Sequence, residues 1–321
     1  MATQDRPFVV ALEEHYWDPE LVALYPGREG RRVSDVEKRL LDLGELRLRE
    51  MDEAGIDMQV LSHGAPGTQK LDAETAVRLN RQTNDRLHEF VQTRPDRFAA
   101  FAILPTPDPK AAADELERVV TRLGFRGAMI HGLTNNRFID DKRFWPIFER
   151  AEMLDVPLYI HPSFPNAAVA AAYYNDYVEK YPELLGPALG FTVEAATQAV
   201  RLVLSGLLDE YPKLKLILGH LGEGIPFLLW RIDQSLSRPG NVGGSFRDAF
   251  RAHFYLTTSG NFSDTALACS VAEMGIDRVL FSVDWPFIGN DLATRWLGNA
   301  ALSAEDKAKV FGGNARKLLK L

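Results

Sequence analysis

Eight short apolar runs, most followed by a polar or Gly/Pro break and then a helical pattern, constrain this 321-residue chain more than any other feature. They lie at 8–12, 58–62, 98–104, 127–130, 157–160, 214–218, 254–257 and 279–281. Both faces of each run are apolar. Parallel strands covered by helices on one side and by a barrel interior on the other read this way, whereas a half-solvated antiparallel sheet alternates. Helices are expected at 37–54, 73–93, 109–123, 144–154, 192–211, 226–236, 263–274, 292–300 and 304–319. Asp72 is a candidate N-cap, Ser303 precedes two acids in the first turn of the last helix, and Gly55, Gly124 and Gly275 fall where helices should stop.

Eight β/α repeats predict the α/β class and a (β/α)8 TIM barrel. A doubly wound sheet would also alternate strand with helix, but no Gly-x-Gly-x-x-Gly follows the first run. Two connections, 17–36 and 163–190, exceed the usual few residues, and both follow a strand. In a barrel such loops build the active-site face, so they are expected to form the lid and wall of a pocket. With no linker or low-complexity tract, residues 1–321 read as a single domain.

Composition narrows the partners. Apolar residues make up 46% and charged residues 25%, the ordinary globular mix, so a large core is affordable. Lys plus Arg number 37 against 44 Asp plus Glu, a net charge of −7, which argues against nucleic acid and for a small molecule. No apolar run approaches the roughly 20 residues of a membrane span, so no membrane is expected as partner. The single cysteine, Cys269, and the lack of a signal-like N-terminal stretch make the cytoplasm the expected location.

The polar residues that end the runs are the candidates for chemistry. The first run leads into Glu13-Glu14-His15, the fifth into His161, the sixth into His220 and the eighth into Asp284. Alternate strand residues point the same way, so Glu13 and His15 are expected to aim into the barrel mouth and Glu14 to face away. Imidazoles and carboxylates suit zinc or manganese, and Glu13, His15, His161 and Asp284 would balance one divalent cation with two negative charges. Each alone has a simpler explanation: a hydrogen-bonded core histidine, an exposed strand end, or a turn residue before Trp285-Pro286. Four of them at one end of four different strands do not.

Glu223 lies close enough to turn back onto His220 and fix its tautomer as an acid/base group; alternatively it caps the helix beginning near Ile225. His63 and His131, ending the second and fourth runs, are candidate pocket-lining residues. Trp285 and Phe287 are expected to form an aromatic wall beside the metal. Tyr16, Trp17, Phe164, Tyr173 and Tyr174 are placed to cover an apolar ring or to pack the long loops, and Arg231 and Arg126 to pair with a carboxylate. No nucleotide or pyridoxal fingerprint is present, so no organic cofactor is expected.

The segments Val10-Ala11-Leu12-Glu13-Glu14-His15, Tyr159-Ile160-His161-Pro162, Leu218-Gly219-His220-Leu221-Gly222-Glu223-Gly224 and Ser282-Val283-Asp284-Trp285-Pro286-Phe287 resemble the metal-dependent decarboxylase branch of the amidohydrolase superfamily. That branch includes decarboxylases of γ-resorcylate, 2,3-dihydroxybenzoate, 5-carboxyvanillate and aminocarboxymuconate semialdehyde. Trp230-Arg231-Ile232-Asp233 and Phe311-Gly312-Gly313-Asn314-Ala315 extend the resemblance over nearly the whole chain. It implies one divalent ion, Zn2+ or Mn2+, held by Glu13, His15, His161 and Asp284. His220 with Glu223 would assist catalysis, and Phe287 would contact the ring of a hydroxylated aromatic acid. It also implies a homo-oligomer, dimer or tetramer. Hydrolytic members typically begin His-x-His and often carry a lysine at strand 4, whereas this chain has Glu-x-His and His131. The resorcylate and carboxyvanillate enzymes carry Asn in that region, so the identity of the acid stays open. The runner-up reading is a mononuclear hydrolase of a lactone or amide; a third is a catalytically silent metal-binding scaffold.

Overall fold

The computed structural model describes residues 6–25 and 34–321. All eight expected strands form: β1 (Val10–Tyr16), β2 (Met58–His63), β3 (Phe98–Ala100), β4 (Ala128–His131), β5 (Leu158–His161), β6 (Leu216–Leu218), β7 (Phe254–Thr257) and β8 (Val279–Leu280). Strands β1 to β3 pair in sequence order, as do β4 to β8, and every ladder is parallel. An isolated bridge from Ala102 to Ala128 joins the two groups. Among the described residues β8 and β1 share no ladder. Their seam is crossed by the His15 N–H to the Trp285 carbonyl and by the Glu13 N–H to Ser282 Oγ, both 2.7 Å. Strands adjacent in sequence are thus adjacent in space all the way round. A doubly wound sheet needs a reversal of strand order, so the arrangement is that of a TIM barrel.

Strand alternation sorts the apolar residues into two layers. Val10, Leu12, Met129, Tyr159, Ile217 and Leu280 pack in the barrel interior, with Leu318 and Leu319 of the last helix plugging it. Their sequence neighbours Ala11, Ala128, Ile130, Leu158, Ile160 and Leu216 pack outward against the helices. An apolar residue on both faces is what burial on both faces requires.

Asp72 and Ser303 cap their helices as expected, and Gly55 and Gly124 end theirs in the left-handed region. Three helices expected as continuous are broken. The 37–54 stretch is Ser34–Leu41 and Glu45–Ala54, separated by a turn in which Asp42 accepts the Gly44 N–H. The 192–211 stretch divides into Gly190–Leu204 and Leu207–Glu210 at Gly206, whose φ is 84°. Within 304–319 a π-helical turn, Lys309–Gly313, intervenes, and the Val310 carbonyl there accepts the Phe281 N–H just past β8. The helix Phe246–His253 was not expected, and the long 163–190 connection contains Ala167–Tyr173. Of the 17–36 connection, residues 26–33 lie outside the described residues. No helix among those described is long and apolar enough to cross a membrane.

Candidate metal centre

The first strand carries an irregularity where its polar residues begin. Its register against β2 slips between Ala11 and Glu14, so β1 holds one residue more than its partner there. Strict alternation from Val10 and Leu12 would send Glu14 inward. The bulge inverts the phase, as an inserted residue must, and Glu13 and His15 face the barrel mouth. They meet His161 and Asp284: all four offer ligand atoms lying within 4.8 Å of one another. Glu13 Oε1 stands 3.1 Å from His161 Nε2, and Asp284 Oδ1 is 3.3 Å from His15 Nε2.

The donor set fits a divalent cation. Glu13 Oε1 and His15 Nε2 are fully buried yet have no hydrogen-bond partner, which is costly unless something else satisfies them. The remaining atoms of these residues are already engaged. Glu13 Oε2 accepts from the Tyr159 hydroxyl, His161 Nδ1 faces the Pro162 carbonyl at 2.7 Å, and His15 Nδ1 faces Ser62 Oγ at 3.2 Å. Such outer contacts orient the ring so that Nε2 points inward. Burial pushes the Glu13 carboxyl up, but His220, His15 and His161 outweigh it and hold it well below the usual carboxylate range. For His15, burial disfavours the charged ring, yet Asp284 and Glu13 prevail and lift it to about 9. Protons compete here for the place a cation would take.

His220 and Glu223 form the expected pair, with Nδ1 and Oε1 2.7 Å apart. The helix Ile225–Leu236 has Gly224 at its cap position and no side-chain cap bond, so the capping alternative for Glu223 is set aside. Three non-glycine residues of this turn, His220, Leu221 and Glu223, have φ of 53–57°, a backbone state that side chains rarely adopt and that aims the imidazole at the site. Burial opposes the charge on His220, but Glu223 and Glu13 raise its pKa well above the ordinary value. His220 Nε2 lies 3.9 Å from Asp284 Oδ2. Gly260 leaves room for this approach, since a Cβ there would meet the His220 ring at 3.2 Å and Asp284 at 3.3 Å.

His63 and His131 also reach this end of the barrel. His131 pairs with His161 in register, the two rings 4.9 Å apart, and His63 packs edge-on against Tyr16. Both rings leave a buried Nε2 without a partner. Burial lowers His63 to about 4, and burial with the neighbouring histidines lowers His131 well below its usual value, so both are neutral. Phe287 stands edge-on to His15 at 5.9 Å.

Two expectations, for Trp285 and Arg126, are corrected. Trp285 is no part of an aromatic wall: its ring is buried under Arg47 and its Nε1 donates to Glu50. Arg126 precedes β4 and so sits at the opposite barrel end from the cluster, whereas Arg231 stands exposed on the helix after β6, where its expected pairing with a carboxylate is left as an expectation. Of the loop aromatics, Phe164 packs on Phe191, one of the two uses expected for it, and Tyr173 is 70% exposed. Glu14 does face away from the mouth, but it is completely buried. Tyr159, Thr257 and Ser62 were missed as supports. Tyr159 had a legible signal, since it precedes His161 by two residues and so shares its face.

The family model described as amidohydrolase matches residues 13–321. The chain is 41% identical to the γ-resorcylate decarboxylase of a Rhizobium species, over 97% of this chain and 98% of that protein. The crystal structure of a Polaromonas dihydroxybenzoic acid decarboxylase with bound manganese and the inhibitor 2-nitroresorcinol superposes with a TM-score of 0.90. Its identity is 41%, covering 98% of this chain and 97% of that one. The 5-carboxyvanillate decarboxylase of Sphingomonas paucimobilis matches with a TM-score of 0.90 and 34% identity, over 98% and 99% of the two chains. The chain therefore belongs to the amidohydrolase family.

Proposed function

We propose that this protein is a metal-dependent, non-oxidative decarboxylase of an ortho-hydroxylated aromatic acid, with a 2,6-dihydroxybenzoate-like compound as substrate. The observation that carries this reading is the convergence of Glu13, His15, His161 and Asp284 beside a His220 held by Glu223. The relatives support the aromatic acid: one solved structure, 40% identical with a TM-score of 0.89, is a 2,6-dihydroxybenzoate decarboxylase complexed with 2,6-dihydroxybenzoate.

Glu13, His15, His161 and Asp284 would hold one Mn2+ or Zn2+, which when bound supplies positive charge to grip the carboxylate and adjacent phenolic oxygen of the substrate. Manganese is favoured because neighbouring structures contain it. Phe287, beside His15, packs against the substrate ring. His63 and His131, neutral and with Nε2 unpartnered, suit a ring hydroxyl that can donate to them. Asp284 delivers a proton to the ring carbon that bears the carboxylate. The bond from that carbon to the carboxylate then breaks, its electron pair returns to the ring, and CO2 leaves. His220, held charged by Glu223, opposes the negative charge that builds on the ring and stands close enough to Asp284 to restore its proton.

Stripping the protein with a chelator is expected to abolish turnover, and manganese or zinc to restore it. CO2 release from 2,6-dihydroxybenzoate, 2,3-dihydroxybenzoate and 5-carboxyvanillate, measured beside lactone hydrolysis, is the test. Lactone opening with no CO2 from any acid would put a hydrolase in its place.

We also infer a homo-oligomer. The helix after β6 exposes Phe227 at 83% and Trp230 at 62%, with Leu228 beside them, an apolar face that an isolated chain would leave in water. Light scattering is expected to give at least twice the 35.9 kDa chain mass, and a monomer would refute this.

A further inference from the structure

We propose that Glu14 and Arg47 form a buried latch that sets Asp284 against Glu13 and His15, making both positioning residues. The proposal rests on the role given to Asp284 above. It starts from the seam between β8 and β1, where the described residues form no ladder. The bulge in β1 turns Glu14 to the outer side of the barrel, and its carboxylate adds to the two hydrogen bonds that already cross the seam. Oε1 accepts the Val283 N–H at 2.9 Å, and Oε2 accepts the Trp285 N–H at 3.3 Å. These are the backbone N–H groups of the two residues that flank Asp284. Asp284 itself has a φ of 76°, a conformation that a residue with a side chain keeps only when its surroundings impose it.

Arg47 ties this grip to the other half of the site. Its Nη2 donates to the His15 carbonyl at 2.6 Å, and its Nη1 to Gln59 Oε1 at 3.1 Å. Gln59 Nε2 in turn reaches Glu14 Oε2 at 3.4 Å. The guanidinium lies 3.9 Å over the Trp285 ring, the residue after Asp284. One buried unit therefore touches both the strand that carries Glu13 and His15 and the turn that carries Asp284. Burying these two groups is a poor route to stability, because desolvation works against the charge on each, pushing Glu14 up to about 8 and Arg47 down to about 9. What the pair adds here is direction: a bidentate carboxylate and a planar fork fix two backbone segments to within hydrogen-bond tolerance.

Glu14→Gln keeps the volume but turns one acceptor into an amide N–H facing a backbone N–H. Arg47→Lys keeps the charge but loses the fork and the stacking. Both are to be measured on metal-loaded protein, with the result expressed per bound ion. In each variant kcat is expected to fall by about tenfold or more with KM within about threefold, the scale of outer-contact loss at metal sites. The visible absorption of the Co2+-loaded protein is expected to change as Asp284 shifts. A merely structural role would lower Tm and the loadable fraction but leave turnover per ion and the cobalt spectrum as in the parent; that result overturns the proposal. If Glu14→Gln does not fold, Glu14→Asp carries the same test, since it keeps both acceptors but withdraws them by one methylene. If the parent protein decarboxylates no aromatic acid, the functional reading fails, and the cobalt spectra still decide the latch.

Discussion

Asp284→Asn is expected to lower kcat by about 1,000-fold while weakening metal binding by only about tenfold. The amide matches the carboxylate in shape and keeps one oxygen for the cation, but it cannot carry a proton to the ring. A positioned acid typically contributes 10²–10⁴-fold, so a loss of about 1,000-fold is what removing the proton donor alone should produce. The geometry supports this division of roles. Asp284 Oδ1 lies toward His15 at 3.3 Å and Oδ2 toward His220 at 3.9 Å, so one oxygen is placed for the cation and the other for proton exchange. Stopped assays of CO2 release with a parallel metal titration measure both quantities. Turnover within tenfold of the parent would mean that another group is the acid.

His220→Asn is expected to leave the ion bound and slow turnover by about 100-fold or more. His220 is not one of the four residues whose ligand atoms cluster within 4.8 Å, so its removal takes nothing from the cation. What disappears is an imidazole that Glu223 holds charged beside Asp284. Asn cannot be charged, so the negative charge that develops on the ring loses its counterpart and Asp284 loses its nearest proton source. Metal loading that fell with turnover would instead make His220 a ligand.

How much of this is legible in the sequence depends on whether the signal is local. The eight runs announced their strands because apolar residues on both faces have few other uses, and Asp72 and Ser303 announced helix starts because capping involves only neighbouring residues. The polar ends of those runs named Glu13, His15, His161, His220 and Asp284. The misreadings arose where a distant partner decides. Trp285 adjoins Asp284 and so resembled a pocket residue, but Arg47 and Glu50, more than 200 residues away in sequence, draw its ring into the core. The π-helical turn near the C-terminus follows from a carbonyl needed by the end of β8, a demand its own sequence does not display.

The order of residues along the chain is enough to specify the repeat of strand and helix, hence the barrel, and the inventory of imidazoles and carboxylates at its mouth. Alternation put Glu13 and His15 on one face of the first strand and Glu14 on the other, as expected, but the physical cause that turns the Glu13/His15 face to the mouth lies in the tertiary structure. Hydrophobic alternation from Val10 and Leu12 carries Glu14 inward, and only the slip against β2 brings Glu13 and His15 there instead. A strand's pattern records its period, but its phase after a bulge depends on the partner against which the extra residue is counted.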